Sequence, residues 1–306
     1  MKIARYYPIL FAMFLLAGCL EPVDLPILNG EARLVLNSNF TNDQYFHVRV
    51  SQSRNLQDSS TFVFVNNATV KIFHDGELLE TLTYFPPDDK DEFPSYRSLS
   101  IKAEFGIEYE IIAEAPGFAS ITSSGKVPFP TEITDTSLED EGNQTSSSFV
   151  FFSLGIDDNQ VEDNYYHILV YQLADQLVSS SNGTKDFETR LFGPLKMFTF
   201  DPDAPVSFFI DNRGALIRDR SFNGQDKKFT FRVDFEKLRT TNDNGRIIIE
   251  LRSVTEDYYD YLTSIKRQHD RSNNPLSEPA IDFTNIENGY GLFTGFSVSR
   301  DTIDLR

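Results

Sequence analysis

Alternation with a period of two dominates this chain from about residue 33 onward. In Tyr45-Phe46-His47-Val48-Arg49-Val50, the residues Phe46, Val48 and Val50 share one face, and Tyr45, His47 and Arg49 the other. Further strands are predicted over 33–36, 61–65, 68–73, 78–82 and 109–113, with another beginning at Ile121. Asp75-Gly76 sits between two of these runs, a sequence suited to the tight turn of a hairpin. Pro116-Gly117-Phe118 marks a second turn, and Pro128-Phe129-Pro130 closes the unit. Six or seven short strands in this space predict an immunoglobulin-like or transthyretin-like sandwich over 31–130, interrupted by an exposed acidic loop at 88–92.

The stretch 131–148 is polar and acidic and reads as a connection between domains. A larger β-rich domain is expected over 149–306. Its strands are predicted at 149–154, 165–173, 191–200, 206–210, 228–235 and 245–251, with a loop at 179–183. One amphipathic helix stands apart, at about 254–268. Ser253-Val254-Thr255-Glu256 matches a capping box with Ser253 as the cap. Val254, Tyr258, Tyr261, Leu262 and Ile265 then recur at helical spacing, which predicts a buried tyrosine face that includes Tyr261. Asn273-Asn274-Pro275 ends the helix, and 283–298 returns as strands. The fold class expected is therefore all-β, a sandwich followed by a larger β-domain with one helix.

The N-terminus adds a different kind of signal. Lys2 and Arg5 precede a short apolar run, too short to span a bilayer, and small residues then lead to Cys19. Leu16-Ala17-Gly18-Cys19 resembles a bacterial lipobox, which implies a signal peptide over 1–18, acylation of Cys19 and a tether over 19–30. Acyl chains contribute about 0.8 kcal/mol per buried methylene, so several chains anchor firmly. Cleavage would remove two of the 28 basic residues and none of the 46 acidic ones, moving the formal net charge from −18 to −20. Such a chain repels phosphate backbones, so nucleic acid is excluded as a partner, and contact with membrane lipid is expected through the anchor alone. Cys19 is the single cysteine, so no disulfide or thiolate metal site is available to the exported part. The core must come from apolar packing, for which 28 Phe and 13 Tyr suit β-structure.

Catalytic motifs are missing. The sequence has no Gly-rich phosphate loop, no H-E-x-x-H and no G-x-S-x-G. The four histidines, His47, His74, His167 and His269, are far apart and read as solvated or locally bonded. No catalytic residue, cofactor or metal is expected. Acid runs at Asp157-Asp158-Asn159 and 88–91 offer oxygen ligands for calcium but lack EF-hand spacing, and solvated loop acids are the favoured reading. The absence of Trp weakens a carbohydrate site; Tyr165, Tyr166 and Tyr259 are the best aromatic candidates for ligand contact, weighed against core packing. Asp301-Thr302-Ile303 resembles a three-residue O-glycosylation sequon of Bacteroidota.

Four stretches, together with the lipobox, carry a family resemblance. They are Ala68-Thr69-Val70-Lys71-Ile72; Gly106-x-x-Tyr109 with Pro116-Gly117-Phe118; Asn164-Tyr165-Tyr166; and Asn285-Ile286-Glu287-Asn288-Gly289-Tyr290-Gly291-Leu292-Phe293. The chain resembles an uncharacterised family of Bacteroidota outer-membrane lipoproteins, a domain of unknown function whose genes accompany TonB-dependent receptors. The N-terminal strands are similar to carboxypeptidase regulatory-like sandwich domains. The resemblance implies a lipid-anchored outer-membrane protein that is not an enzyme, an accessory or ligand-capture subunit of a TonB-dependent nutrient uptake system with a receptor as partner. A surface adhesion or structural lipoprotein is the alternative, and a hydrolase with an unrecognised site a weaker one. The cell surface is favoured over the periplasmic face, although only Glu21 and Asp24 follow the cysteine closely. Gly289 and Gly291 suggest a tight bend or a close backbone approach.

Overall fold

In the computed structural model the strands follow the alternation. The structure describes residues 31–54, 63–88, 93–138, 149–158, 163–181, 184–201, 206–234, 245–272 and 283–305. The elements are β1 (Leu34–Thr41), β2 (Tyr45–Gln52), β3 (Thr69–His74), β4 (Glu77–Thr81), β5 (Thr83–Phe85), β6 (Ser95–Lys102), β7 (Glu108–Glu114) and β8 (Ile121–Lys126). They continue with β9 (Ile133–Leu138), β10 (Phe149–Ile156), β11 (Tyr165–Ser181), β12 (Thr184–Phe192), β13 (Lys196–Phe198), β14 (Val206–Phe208), β15 (Ala215–Arg218), β16 (Lys227–Asp234), β17 (Arg246–Val254), helix α1 (Glu256–Ser272) and β18 (Tyr290–Asp304). The fold is all-β, with one α-helix among the described residues.

Three sheets result. One ten-stranded sheet runs β14-β15-β11-β17-β18-β1-β2-β6-β5, with β12 also paired to β11. Two four-stranded sheets, β4-β3-β7-β8 and β13-β16-β10-β9, complete the fold. Leu34, Leu36, Phe46, Val48 and Val50 from the large sheet share a core with Val70, Ile72, Tyr109, Ile111 and Ile121 from the first small one. Tyr166, Ile168, Val170, Ile247, Ile249 and Leu251 share a second core with Phe152, Leu154, Phe229 and Phe231 from the other. Each fully buried aliphatic or aromatic side chain in these cores contributes roughly 1.5–3 kcal/mol.

The two sandwiches therefore share one sheet, and β18 is the strand that joins them. Its first part pairs in parallel with β1, from Val35↔Tyr290 to Thr41↔Phe296. Its second part pairs antiparallel with β17, from Val254↔Phe296 to Arg246↔Asp304. Phe293, near the end of the chain, packs in the N-terminal core at 4.8 Å from the Phe40 ring. Ala32 to the C-terminus forms one compact unit. Within the connection expected at 131–148, Ile133–Leu138 is strand β9, paired with β10; residues 139–148 lie outside the described part. The Thr- and Ser-rich face of β9 hid its periodicity from the sequence reading.

The run from Asn285 to Phe293 works as a clasp. The Asn285 side chain donates to Phe293 O at 2.9 Å and to Asp257 at 2.9 Å, and accepts from the Phe293 N–H at 3.0 Å. Glu287 N donates to Thr122 O at 2.8 Å, tying β8 to the same run. Gly291 has φ +113, and a Cβ there would lie 2.0 Å from Leu36 O, so the close approach suggested by its spacing is real. At Gly295 a Cβ would lie 2.5 Å from Lys126 O, which is how β8 crosses β18 backbone against backbone.

The local predictions meet with mixed fortune. Asp75 (φ +49) and Gly76 (φ +76) form the β3–β4 turn with the positive dihedrals a tight hairpin needs. The strand expected at 61–65 is, within the described residues, only a bridge between Ser51 and Phe64. Ser179 to Ser181, read as loop, continue β11. The helix starts two residues later than expected, and Thr255, not Ser253, is its cap: Thr255 Oγ1 accepts from Tyr258 N at 3.2 Å. Ser253 Oγ is engaged elsewhere, accepting from Thr131 N at 3.0 Å. Tyr258 is the buried tyrosine, and Tyr261, three residues on and about 60° around the helix, is only half-buried at the edge of that face. Thr255→Ala should lower stability by about 1 kcal/mol, while Ser253→Ala should leave helix content unchanged by circular dichroism.

Candidate functional site

Strand β11 carries side chains to both faces of the large sheet, and a polar cluster forms on each. On the helix side, register places His167 beside Arg252, and Glu250 beside Arg300. Glu250 is buried and accepts from Arg252 Nε at 2.7 Å and Nη2 at 2.6 Å, and from Arg300 Nε and Nη2 at 2.8 Å each. His167 Nδ1 lies 3.0 Å from the Tyr258 hydroxyl, and its Nε2 is buried with no partner among the described residues. Its burial overturns the reading of all four histidines as solvated or locally bonded.

Burial, and then the positive charge of Arg252, push the His167 pKa down to about 3. The unfolded chain titrates near the ordinary value of 6.5. Above that pH both states are neutral and this group has no effect on stability. Below it the unfolded chain takes a proton that the native state refuses, so stability falls as pH drops from 6.5 towards 3, by at most about 1.4 kcal/mol per unit. His167→Gln should flatten this part of the profile, read from urea midpoints between pH 7.5 and 5 for both proteins. Equal losses in the two would assign the acid sensitivity to other groups.

An open cleft of about 930 Å³ lies at the junction of the sandwiches. One wall is the segment that leaves β8, Lys126 to Glu132. That segment is held at Thr131, whose N–H donates to Ser253 Oγ and whose carbonyl accepts from Ser299 Oγ at 2.6 Å. The opposite wall is Asp157 and Asp158 at the end of β10, with Asp163, Asn164 and Tyr165 leading into β11. Ser253 to Glu256, where β17 turns into the helix, supply the rest. Phe129 belongs to the first wall and is 70% exposed, its ring centroid 6.0 Å from that of Phe105.

Electrostatics distinguish this cleft. Among the described residues, Glu132, Asp157, Asp158, Asp163 and Glu256 line it, and Lys126 is the one lining cation. Asp158 is buried and accepts from the Tyr166 hydroxyl, from Asn164 Nδ2 at 3.2 Å and from Gly224 N at 2.7 Å. Behind Asn164 lies Asp219, fully buried, which accepts from Asn164 N at 2.7 Å through Oδ2. Burial and the nearby Asp158 charge raise the Asp219 pKa, against the Asn164 hydrogen bond. Among the described residues, no group of three or more His, Asp or Glu side chains is arranged to hold a metal ion.

Of the residues singled out in the sequence, Tyr165 and Tyr259 come together, their rings 5.3 Å apart. Arg218 lies 4.9 Å over the Tyr165 ring and pairs with Asp163 at 3.1 Å and Glu256 at 3.6 Å. Tyr165 donates to Glu256 at 2.6 Å, and burial with that bond raises its pKa. Tyr165 lines the cleft, whereas Tyr166 faces the opposite way, wholly buried in the C-terminal core. Cys19 and Asn159 lie outside the described residues. Phe129, Glu132, Asp163 and Asp219 were not found by sequence reasoning. Only a phenylalanine set between two prolines, where no strand can bury it, gave any hint.

The chain belongs to the family described as Domain of unknown function (DUF4249), which matches residues 20–302. No curated protein matches it. Among solved structures it is similar to one titled "Crystal structure of collagen adhesin (CNA) from S. aureus", at 8% identity over 88% of this chain and 93% of that chain. The TM-score is 0.23, too low to bear on fold or function. No helix among the described residues is long and apolar enough to cross a membrane.

Proposed function

We propose that this protein is a lipid-anchored outer-membrane lipoprotein and a non-catalytic ligand-capture subunit of a TonB-dependent nutrient uptake system. The observation that carries the ligand-capture part is the cleft between the sandwiches. It has the size of a small-molecule site, an exposed aromatic on one wall and convergent carboxylates. The shared strand β18 supports a binding role, because it joins the two sandwiches that supply the walls through one common sheet and so limits the ordering cost of capture. The anchor is supported by Leu16-Ala17-Gly18-Cys19. The link to a TonB-dependent receptor, and the cell-surface location, rest on the sequence resemblance.

Anchoring has a direct check. Cys19→Ser should abolish acylation and move the protein from the outer-membrane fraction to the soluble one. A variant that stays with the membrane after a high-salt wash, alongside a wild type that carries no lipid by mass spectrometry, would overturn it. The uptake role is tested by gene deletion and by affinity purification from native membranes. Deletion should impair growth on one nutrient and leave attachment intact, and a β-barrel receptor should co-purify. Normal growth on every nutrient with lost attachment would favour the adhesion reading.

A further inference from the structure

Strand β12 belongs to a ribbon that outruns its sheet. β11 pairs with β17 only as far as Leu173↔Arg246, and with β15 only from Tyr165 to Ile168. β12 pairs with β11 from Gln172↔Phe192 to Ser181↔Thr184, on the edge opposite β17. Beyond Leu173 the two strands pair only with each other among the described residues, and the outer edge of β12 meets no other strand there. A two-stranded ribbon is marginally stable in water, and a free edge presents a row of backbone N–H and C=O groups to any strand that fits. β12 is nine residues long and contains no proline to block such pairing.

The residues along this edge fit a second copy of themselves. Phe187, Thr189 and Leu191 share one face of β12, and Glu188 and Arg190 the other. All five are exposed. In an antiparallel pair of β12 strands with Thr189 on the two-fold axis, Phe187 stands opposite Leu191 of the second copy, and Glu188 opposite Arg190. Symmetry makes each of these pairs twice. Aromatic–apolar and opposite-charge pairs are the cross-strand combinations that stabilise a sheet, and like charges directly opposite destabilise it. Moving the axis by one residue sets either Glu188 or Arg190 against its own copy, so charge selects the register. Within one strand Arg190 already reaches Glu188 at 2.6 Å, with both side chains in solvent, where such a pair contributes little. We infer that β12 is a dimerisation edge, along which two copies of this chain pair antiparallel about Thr189 and join their ribbons into one continuous sheet. β12 takes no part in lining the cleft.

The test is sedimentation equilibrium of the full-length chain in detergent over a series of protein concentrations, with two single variants, Arg190→Glu and Glu188→Arg. Wild type should show a monomer–dimer equilibrium. Each variant sets like charges opposite one another twice and should weaken self-association about tenfold or more. One variant is acidic at both positions and the other basic at both, so an equimolar mixture should recover association as a heterodimer. The ion pair within the strand stays broken in both variants. Recovery on mixing therefore reads the contact between copies, and not the stability of the hairpin. The natural chain carries a formal net charge of −18 and each substitution changes it by two, so both variants stay strongly acidic and general attraction cannot produce the recovery. A wild type that stays monomeric overturns the inference and leaves the edge to a different protein. Variants that dimerise as wild type does, or a mixture that associates no better than its components, overturn it as well. Each of these failures leaves the ligand-capture reading of the cleft standing.

Discussion

Gly291→Ala should destabilise the protein by about 4 kcal/mol or more, the largest effect expected of any single methyl group added to it. Two costs combine. The backbone at φ +113 is a conformation that L side chains rarely adopt, and the new Cβ would meet Leu36 O at 2.0 Å. Leu36 O belongs to β1, so the chain cannot relax by moving a flexible side chain; it must open the parallel β1–β18 pairing. That pairing attaches the N-terminal sandwich to the rest of the sheet, and Phe293 beside it fills the N-terminal core. The variant should show a lower urea midpoint and early loss of protection in β1 and β2. A midpoint within experimental error of wild type would mean that β18 is not held against β1 as described.

Glu250→Ala should cost about 3 kcal/mol, because it removes the shared partner of two guanidinium groups and leaves Arg252 poorly compensated beneath the helix. Glu250 is 6% exposed at its side chain and Arg252 22%, whereas Arg300, at 62%, can turn to solvent. The stranded charge would also face His167 and Tyr258. The double variant Glu250→Leu/Arg252→Leu should recover much of the loss, since no charge is left buried. A double-mutant cycle on chemical denaturation checks this. If both variants lost the same stability, the effect would be one of packing and not of an orphaned charge.

How far the sequence foretells this molecule depends on the range of each interaction. Strands β1 and β2 were readable because Leu34, Leu36, Phe46, Val48 and Val50 are large and alternate cleanly. Strand β6 was not, because its inward positions include Ser95 and Ser98, small polar residues whose burial depends on partners far away; Ser98 Oγ accepts from Phe46 N at 2.7 Å. The turn at Asp75-Gly76 is local and was legible; the cap at Thr255 was displaced by two residues because Ser253 is claimed by Thr131, a contact across 122 positions. The glycines of the C-terminal run announced a close approach, but not that the neighbour would be β1. For the same reason the boundary expected at 131–148 could not reveal a sheet that continues across it. The cleft was least legible of all. Its walls come from five separate stretches, and the exposure of Phe129 and the burial of Asp219 exist only once the sheet is assembled.

The central claim is that β18 makes the two sandwiches one cooperative body and so holds the cleft's walls in fixed relation. Native-state hydrogen exchange, followed by mass spectrometry of peptides from β7 in the N-terminal core and β16 in the C-terminal core, tests it most directly. The account predicts that both sets of amides exchange with the same opening free energy, that of global unfolding, and that Gly291→Ala separates them. Wild-type protein in which β7 opens at a clearly lower free energy than β16 would contradict it, showing two sandwiches that unfold apart.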